Sequence, residues 1–230
     1  MKLFEQLDVY HDFTPRRAAL NMAVDEALLE SAAAPSIRFY QWQRRALSFG
    51  YFGKFADVAR YVSERDLIRR WTGGGIVFHG EDFTYSVVIP AHDPVFAESS
   101  ISIYEKIHRA LTEALTCHAK EAELVTAGPL NDRRAGDRRS LGNHCFTNPV
   151  RADVIINGRK IAGAAQRRTR SGLLQQGTIQ GISLKTGFAE SFAEALSANC
   201  SGSDINEEIL DRARELAQRK YGTESWLRKR

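Results

Sequence analysis

The dipeptide Asn157-Gly158 separates two stretches that each read as a β-strand. Asn-Gly readily adopts the positive φ angles of a two-residue hairpin turn, which makes it the strongest short-range fold signal in the chain. It predicts an antiparallel ribbon over 151–168, with Lys160 just past the turn. Because small residues follow this lysine, little side-chain bulk would separate its ammonium group from a bound carboxylate or thioester carbonyl.

Three consecutive glycines, Gly73, Gly74 and Gly75, form the second strong signal. Glycine lets the backbone turn sharply and expose its N–H groups, so a ligand can lie directly on the main chain. The same run would also suit a bulge or a close strand crossing. Arg69 and Arg70 precede the run and favour an anionic ligand, whereas His79 follows it and could orient the loop or take part in proton transfer.

The remaining pattern alternates between helix and strand without an internal repeat. Helices are predicted at about 18–31, 100–117 and 204–220, the last opened by the capping pair Asp204 and Glu207. Further strands are predicted at 36–42, 46–51, 75–79, 83–89 and 173–182. The segment 126–149 contains glycines, prolines and charges without a period, which predicts a long loop. A loop of that length inside a compact domain is usually functional or disordered.

Composition agrees with one large soluble domain: 230 residues, 43% hydrophobic and 26% charged. No run of about 18 apolar residues exists, and charges near the N-terminus argue against a signal peptide, so we expect a cytoplasmic protein without membrane association. The three cysteines are far apart, which predicts neither a disulfide framework nor a metal site. Cys117 and Cys200 are expected to be structural. Cys145, in the long loop, is either a small buried side chain or a nucleophile.

Taken together, these segments resemble the lipoate-protein ligase and octanoyltransferase family. The resemblance covers nearly the whole chain and rests on the stretches 20–29, 37–51, 69–79, 81–88, 157–168, 174–179 and 220–226. It implies an α/β fold with mixed, largely antiparallel sheets flanked by helices, the biotin/lipoate protein ligase catalytic-domain fold. Residues 1–230 would form a single catalytic domain with no C-terminal accessory domain.

The family match also implies roles for individual residues. Cys145 would be the nucleophile that receives an acyl group as a thioester. Lys160 would hold a carboxylate, polarise the thioester carbonyl or help to deprotonate the incoming amine, and the sequence does not separate these roles. The implied substrate contacts are Arg70, Gly73, Gly74, Gly75, His79, Gly163 and Gln166. An acyl chain of about eight carbons would lie in a tunnel, and each buried methylene would contribute about 0.8 kcal/mol. Candidates to line it, which could equally be core residues, are Tyr40, Trp42, Val77 and Phe78.

Three activities stay open at this point, and the first of them, octanoyl transfer, is the one we expect. An octanoyltransferase would take octanoyl from acyl carrier protein and deliver it to a lysine of a lipoyl domain or glycine-cleavage H protein, without a cofactor; a related branch moves octanoyl between two lipoyl-type proteins. A lipoate-protein ligase would instead use ATP and Mg. An inactive carrier-protein-binding module is the third. The glycine triplet is closer to the ligase pattern, whereas Cys145 favours transfer. Gln176 replaces a histidine that is more usual in the transferases, which keeps the inactive module open.

Charge is concentrated in one part of the chain. The net charge is +4, yet arginines and Lys160 crowd the segment 133–170. Acyl carrier protein and lipoyl domains are typically acidic in the systems this family serves, so a basic rim would steer their docking. No nucleic-acid-binding motif accompanies these charges, and we expect no nucleic-acid partner.

Overall fold

The computed structural model of the chain describes residues 2–118, 122–125 and 151–229. Its helices are α1 (Ala18–Ser31), α2 (Ser100–His118), α3 (Phe188–Leu196), α4 (Glu207–Leu216) and α5 (Glu224–Leu227). Its strands are β1 (Leu7–Arg16), β2 (Ser36–Trp42), β3 (Ala46–Phe49), β4 (Asp66–Arg69), β5 (Ile76–Phe78), β6 (Phe83–Pro90), β7 (Glu123–Leu124), β8 (Val154–Ile156), β9 (Arg159–Arg168), β10 (Gly172–Ile179) and β11 (Cys200–Ser203). None of the described helices is both long and apolar enough to cross a bilayer.

The strands form two sheets. The larger has eight strands in the order β11-β1-β2-β6-β10-β9-β8-β7. In it β1 runs parallel to β2 and β11, and the other neighbouring pairs are antiparallel. The smaller has the order β4-β3-β5, with β3 parallel to β4 and antiparallel to β5. Asn157 and Gly158 turn β8 into β9 with φ angles of 50° and 74°, so the predicted hairpin is confirmed.

Each face of the large sheet buries its own hydrophobic core. One face packs against α2 and α3, and the α2 stripe of Ile103, Ile107, Leu111 and Leu115 is fully buried there. This is the four-residue spacing that the sequence predicts for a helix with one apolar face. The opposite face packs against α1 and α4. A third cluster lies on the small sheet.

Arg38 of β2 is buried beneath α1 and held by carboxylates from two elements. Its Nε and Nη2 donate to Asp12 Oδ2 at 3.0 and 2.7 Å, and its Nη1 donates to Asp25 Oδ1 at 2.7 Å. The backbone carbonyl and side-chain oxygen of Asn21 accept two more hydrogen bonds at 3.1 and 2.7 Å. The arginine side chain is 1% exposed. All five of its N–H bonds therefore have acceptors, and the cluster joins β1, β2 and α1.

The sequence misses some elements and misplaces one boundary. The predicted helix over 204–220 begins later than expected, because Asn206 rather than Asp204 caps it by accepting a hydrogen bond from the Ile209 N–H at 2.9 Å. After Leu216 the chain continues in a π-helical turn. The sequence does not predict β1, β4, β7, β11, α3 or α5, and in β1 the buried charge of Asp12 breaks the apolar alternation of a half-buried strand. The predicted loop over 126–149 lies outside the described residues.

We expect Arg38→Met to lower the free energy of unfolding by about 3–5 kcal/mol, because removing the cation leaves Asp25 as a buried charge without its partner. Urea denaturation of the purified protein measures this. The matched control is Arg212→Met, which removes an arginine whose bonds to Glu30 and Glu215 are at the surface. Solvent screens such pairs, so this control should change stability little. Similar losses in the two variants would contradict the structural role of the buried cluster.

Candidate active site

A narrow slot lies between the large and small sheets, and a row of facing residues forms its floor. Gly163 on β9 is opposite Thr178 on β10, and Thr178 is opposite Thr84 on β6. Thr84 is in turn opposite Tyr40 on β2. Directly opposed residues share a sheet face, so the row spans about 14 Å at the usual strand spacing of about 4.8 Å. The free volume of the slot is about 30 Å³, room for about two water molecules.

Lys160 lies at the β9 end of this row. The register between β8 and β9 shifts there, since Val154 is opposite Ala162 but the next residue, Ile155, is opposite Lys160. The extra residue on β9 makes a β-bulge, which re-aims a side chain and here puts Lys160 on the face of Gly163. A Cβ at Gly163 would lie 2.7 Å from Lys160 Cε and 2.8 Å from Nζ. Because residue 163 is glycine, the side chain of Lys160 can lie across the strand.

The ammonium group of Lys160 is buried beside a carboxylate. Its Nζ is 2.7 Å from Asp153 Oδ2, and the two side chains are 3% and 0% exposed. Asp153 Oδ1 accepts a hydrogen bond from the Tyr104 hydroxyl at 2.7 Å. A buried cation is tolerated when a charged, hydrogen-bonded partner compensates it. The arrangement thus keeps a positive charge at one end of a largely apolar slot.

The glycine run forms a turn that Arg70 organises. Arg70 Nη2 donates to the carbonyl oxygens of Gly73 and Gly75 at 3.0 and 2.8 Å. Gly74 has φ +85°, and a Cβ there would be 3.2 Å from Arg70 Nη2 and 3.3 Å from the Ala165 Cβ. Glycine is needed at this position both for the left-handed backbone and for the close approach to β9.

A chain of hydrogen bonds runs from Arg70 through the small sheet. Arg70 Nη1 donates to Ser48 Oγ at 2.6 Å, and Ser48 Oγ is 2.6 Å from His79 Nε2. His79 Nδ1 is 2.6 Å from Asp82 Oδ2, which also accepts from the Thr178 hydroxyl at 2.6 Å. Burial favours the neutral form of Asp82, but the charge of His79 and these hydrogen bonds lower its pKa to about 2. Both nitrogens of the His79 ring are therefore fixed in place.

His79 also stacks on Trp42, with ring centroids 4.1 Å apart and an interplanar angle of 22°. The Trp42 indole N–H donates to Thr84 Oγ1 at 2.8 Å, and Thr84 Oγ1 donates to Asp82 at 2.8 Å. Polar groups along the slot thus bond to one another. Aromatic ring faces therefore line the free space. His79 is held at both ring nitrogens and stacked on Trp42, which is the geometry of a residue that orients its neighbours.

Gln176, which stands where the transferases more often have histidine, joins α1 to the glycine turn. Its Nε2 donates to Asp25 Oδ2 at 2.7 Å, and its Oε1 accepts from Thr72 Oγ1 at 2.7 Å. An amide supplies the donor and the acceptor that this position requires. The side chain lines the slot and is buried.

The slot contains most of the predicted lining residues. Tyr40, Trp42 and Val77 line it, whereas Phe78 packs in the small-sheet cluster, edge-on to Tyr61 with centroids 5.2 Å apart. The placement of Phe78 follows from strand alternation, since successive side chains of β5 point to opposite faces.

One predicted site residue lies away from the slot, and a second lies outside the described residues. Gln166 lies on the other face of β9, where its Nε2 donates to Gln175 Oε1 at 2.8 Å, so this placement does not support its predicted substrate contact. Cys145 lies outside the described residues, and its role as nucleophile stays a prediction. Within 2–118, 122–125 and 151–229, no three His, Cys, Asp or Glu side chains gather as metal ligands would.

Several residues of the site carry no local sequence signal. Ser48, Asp82, Tyr104 and Asp153 come from separate elements and meet through the fold. In the sequence, Tyr104 is one position in the pattern of an ordinary amphipathic helix, and this pattern does not mark it as a site residue. The spacing of Asp82 and His79 on either side of a turn is the one pattern that could have indicated their contact.

Residues 17–201 match the model of the lipoyl protein ligase A/B catalytic domain. The match spans most of the chain, so the protein belongs to this family. It is similar to an octanoyltransferase LipM of Brevibacillus brevis, with 28% identity in an alignment that covers 90% of this chain and 94% of that protein. A protein of the same name from Macrococcus caseolyticus is 38% identical in an alignment that covers 69% of this chain and 60% of that protein.

Solved structures agree on the fold. A putative lipoate protein ligase from T. acidophilum has a TM-score of 0.74 and 24% identity, covering 96% of this chain and 98% of that one. A lipoate-protein ligase A bound with ATP has a TM-score of 0.74 and 22% identity, with the same coverage. The α/β ligase fold predicted from the sequence is thereby confirmed.

Two adjacent glycines should respond differently to a methyl group. Gly74→Ala should lower the free energy of unfolding by about 1–2 kcal/mol, because a side chain in the left-handed region is strained and this one would crowd Arg70. Gly73→Ala is the matched control, since a Cβ there meets no atom within 4 Å. Urea denaturation measures both variants. Equal losses at the two positions would contradict the observed turn.

Proposed function

We propose that the protein is an octanoyltransferase of protein lipoylation. The observation that carries this proposal is Lys160, buried at one end of a slot whose remaining length is lined mainly by rings and small side chains. Relatives named octanoyltransferase, which match 69–90% of the chain, support the same activity. A charge at one end and an apolar channel behind it suit an acyl group with a reactive carbonyl.

The acyl chain would lie along the row from Gly163 towards Tyr40. Each methylene that leaves water contributes about 0.8 kcal/mol, so an octanoyl chain draws substantial affinity from this slot. Its entry requires the slot to widen. Met22 lines the slot, and its unbranched thioether side chain can change rotamer at low cost.

The reaction would proceed in two acyl-transfer steps, the first onto Cys145 and the second onto the acceptor lysine. The Cys145 thiolate attacks the carbonyl carbon of octanoyl-acyl carrier protein, a new C–S bond forms, and the carrier leaves as a thiolate. A lysine amine of the acceptor then attacks the Cys145 thioester, a C–N bond forms, the C–S bond breaks, and the proton that the amine loses passes to the released Cys145 thiolate. In each step the Lys160 ammonium stabilises the negative charge that develops on the carbonyl oxygen. No ATP is needed, because the thioester is already an activated acyl group.

Acyl carrier protein is the proposed donor, and a lipoyl domain or glycine-cleavage H protein is the proposed acceptor. The basic segment 133–170 supports an acidic partner, since opposite charges steer encounter. Arg167 belongs to the part of this segment that the structure describes, and its guanidinium lies 5.2 Å from the ring centroids of both Tyr51 and Trp71, beside the glycine turn.

An ATP-dependent lipoate-protein ligase is the second candidate. The glycine triplet favours it, and so does the fold shared with a ligase bound to ATP. In that case ATP and Mg would activate free lipoate or octanoate as an adenylate, and Cys145 would have no covalent role.

Intact-mass measurement separates the candidates. The protein is incubated with octanoyl-acyl carrier protein and no acceptor, then digested and mapped. We expect one octanoyl group on the peptide containing Cys145, removable by hydroxylamine and missing in Cys145→Ser, because a thioester intermediate accumulates when no amine is present. Folded Lys160→Ala should deliver little octanoyl to a lipoyl domain.

Other outcomes would overturn this assignment. ATP-dependent modification of a lipoyl domain by free lipoate or octanoate, surviving Cys145→Ser, would identify a ligase. No product with several carriers and acceptors would identify an inactive carrier-protein-binding module.

A further inference from the structure

The hydroxyl group of Tyr104 makes two hydrogen bonds that both concern Lys160. It donates to Asp153 Oδ1 at 2.7 Å, on the carboxylate whose other oxygen is 2.7 Å from Lys160 Nζ. It also accepts from the backbone N–H of Ala164 at 3.1 Å. Ala164 follows Gly163, the residue over which the lysine lies. One hydroxyl therefore connects the carboxylate partner of the lysine to the strand that carries it.

The position of this hydroxyl corresponds to the place where the described pairing of β8 with β9 ends. That pairing reaches Ala162, so none of the strands in the described ranges lies beside this edge of β9 at Ala164. A strand edge without a neighbour leaves N–H groups that need acceptors. Tyr104 supplies that acceptor from α2, at the place where β9 passes the Lys160–Asp153 pair.

A second contact from α2 holds the segment that carries Asp153. His108, one turn after Tyr104 and 4.2 Å from it between ring centroids, donates from Nδ1 to the Ala152 carbonyl oxygen, 2.6 Å away. Its Nε2 accepts from the Tyr85 hydroxyl at 3.2 Å. Burial lowers the pKa of His108 to about 4, so the neutral ring has one donor and one acceptor, as these contacts require. Ala152 itself has a φ of 66°, a strained conformation that this contact helps to hold.

The protonated phenol is the form that this geometry needs. Burial, and next the negative charge of Asp153, raise the pKa of Tyr104 well above its ordinary value. The hydroxyl therefore stays protonated and can donate a hydrogen bond to the carboxylate at every working pH. With Oδ1 held by Tyr104, Oδ2 faces the ammonium group, and the flexible lysine side chain loses most of its rotamer freedom before substrate arrives.

We propose that Tyr104 is a positioning residue for acyl transfer, which holds Asp153 and β9 so that the Lys160 ammonium points at the thioester carbonyl. This inference rests on the proposed function of Lys160. Tyr104 touches neither substrate nor nucleophile in this role. Misplacement of a catalytic group by about 1 Å can cost about 100-fold in rate, so loss of one remote hydroxyl should be visible in turnover.

The test uses Tyr104→Phe, which removes the hydroxyl and keeps the ring. Tyr221→Phe is the matched control, because Tyr221 is also a buried phenol bonded to a carboxylate, that of Glu26, on the other side of the large sheet. We expect Tyr104→Phe to lower kcat for octanoyl delivery to a lipoyl domain about 10- to 100-fold, with KM for the octanoyl-carrier donor nearly unchanged. Tyr221→Phe should lose comparable thermal stability while keeping kcat.

A second readout follows Lys160 directly and needs no enzymatic activity. The protein is treated with limiting acetic anhydride, and acetylation of the peptide containing Lys160 is measured by mass spectrometry. In Tyr104→Phe we expect Lys160 to be acetylated several-fold faster than in the wild type and in Tyr221→Phe. A merely structural role would give equal labelling rates in the two tyrosine variants.

The outcomes are separable. Wild-type kcat in Tyr104→Phe, or equal effects of the two tyrosine variants on kcat and on labelling, would overturn the inference. If Tyr104→Phe fails to fold, Asp153→Asn replaces it, since it preserves the volume and the Tyr104 contact but removes the charge facing Lys160; normal kcat in that variant would overturn the inference as well. A wild-type protein that transfers no octanoyl refutes the proposed function, and the labelling comparison still decides whether Tyr104 positions Lys160.

Discussion

The rest of the site depends on the ion pairs that the buried guanidinium group of Arg38 makes. It is paired with Asp12 of β1 and Asp25 of α1, and it is inaccessible to water. A buried charge is costly unless it is paired and hydrogen-bonded, so α1 has to pack on the sheet in an arrangement that keeps these bonds. Asp25 also accepts hydrogen bonds from Ser86 and Gln176 at 2.7 Å each. Through Gln176 the same constraint reaches Thr72 and the glycine turn.

The slot is largely apolar, although several side chains beside it are polar. These polar groups form hydrogen bonds with one another: Ser48, His79, Asp82 and two threonines are linked, and the indole N–H of Trp42 joins them through Thr84. An acyl chain bound there, as we propose, would leave none of these donors and acceptors unsatisfied.

Small residues set the shape of the site as much as charged ones do. Gly163 leaves the space that Lys160 occupies, and Gly74 lets the turn approach Ala165. A Cβ at Gly50 would lie 2.1 Å from the carbonyl oxygen of Gly74, so a third glycine lets β3 pass beneath the turn. The backbone rather than the side chains brings the two sheets close enough to enclose a narrow space.

The sequence predicts the parts of this structure that depend on local chemistry. The Asn157-Gly158 hairpin, the apolar stripe of α2 and the glycine turn each follow from a short local pattern. The bulge that turns Lys160 onto the face of Gly163 has no such signal, because it arises from how β8 and β9 pair. The Tyr104–Asp153 contact joins residues 49 positions apart, and the chain offers no local trace of it. The family resemblance indicates that the lysine matters, whereas its partners come from tertiary structure.

The central claim is that an acyl chain lies in the slot with its carbonyl beside Lys160. An octanoyl group with a diazirine on its terminal carbon, delivered as a thioester on acyl carrier protein, tests this by photocrosslinking followed by peptide mapping. The account predicts crosslinks to slot residues remote from Lys160, in β2, β3 or β5, and their loss when free octanoate competes. Crosslinks on the face covered by α2 and α3, or crosslinks that octanoate does not reduce, would contradict it.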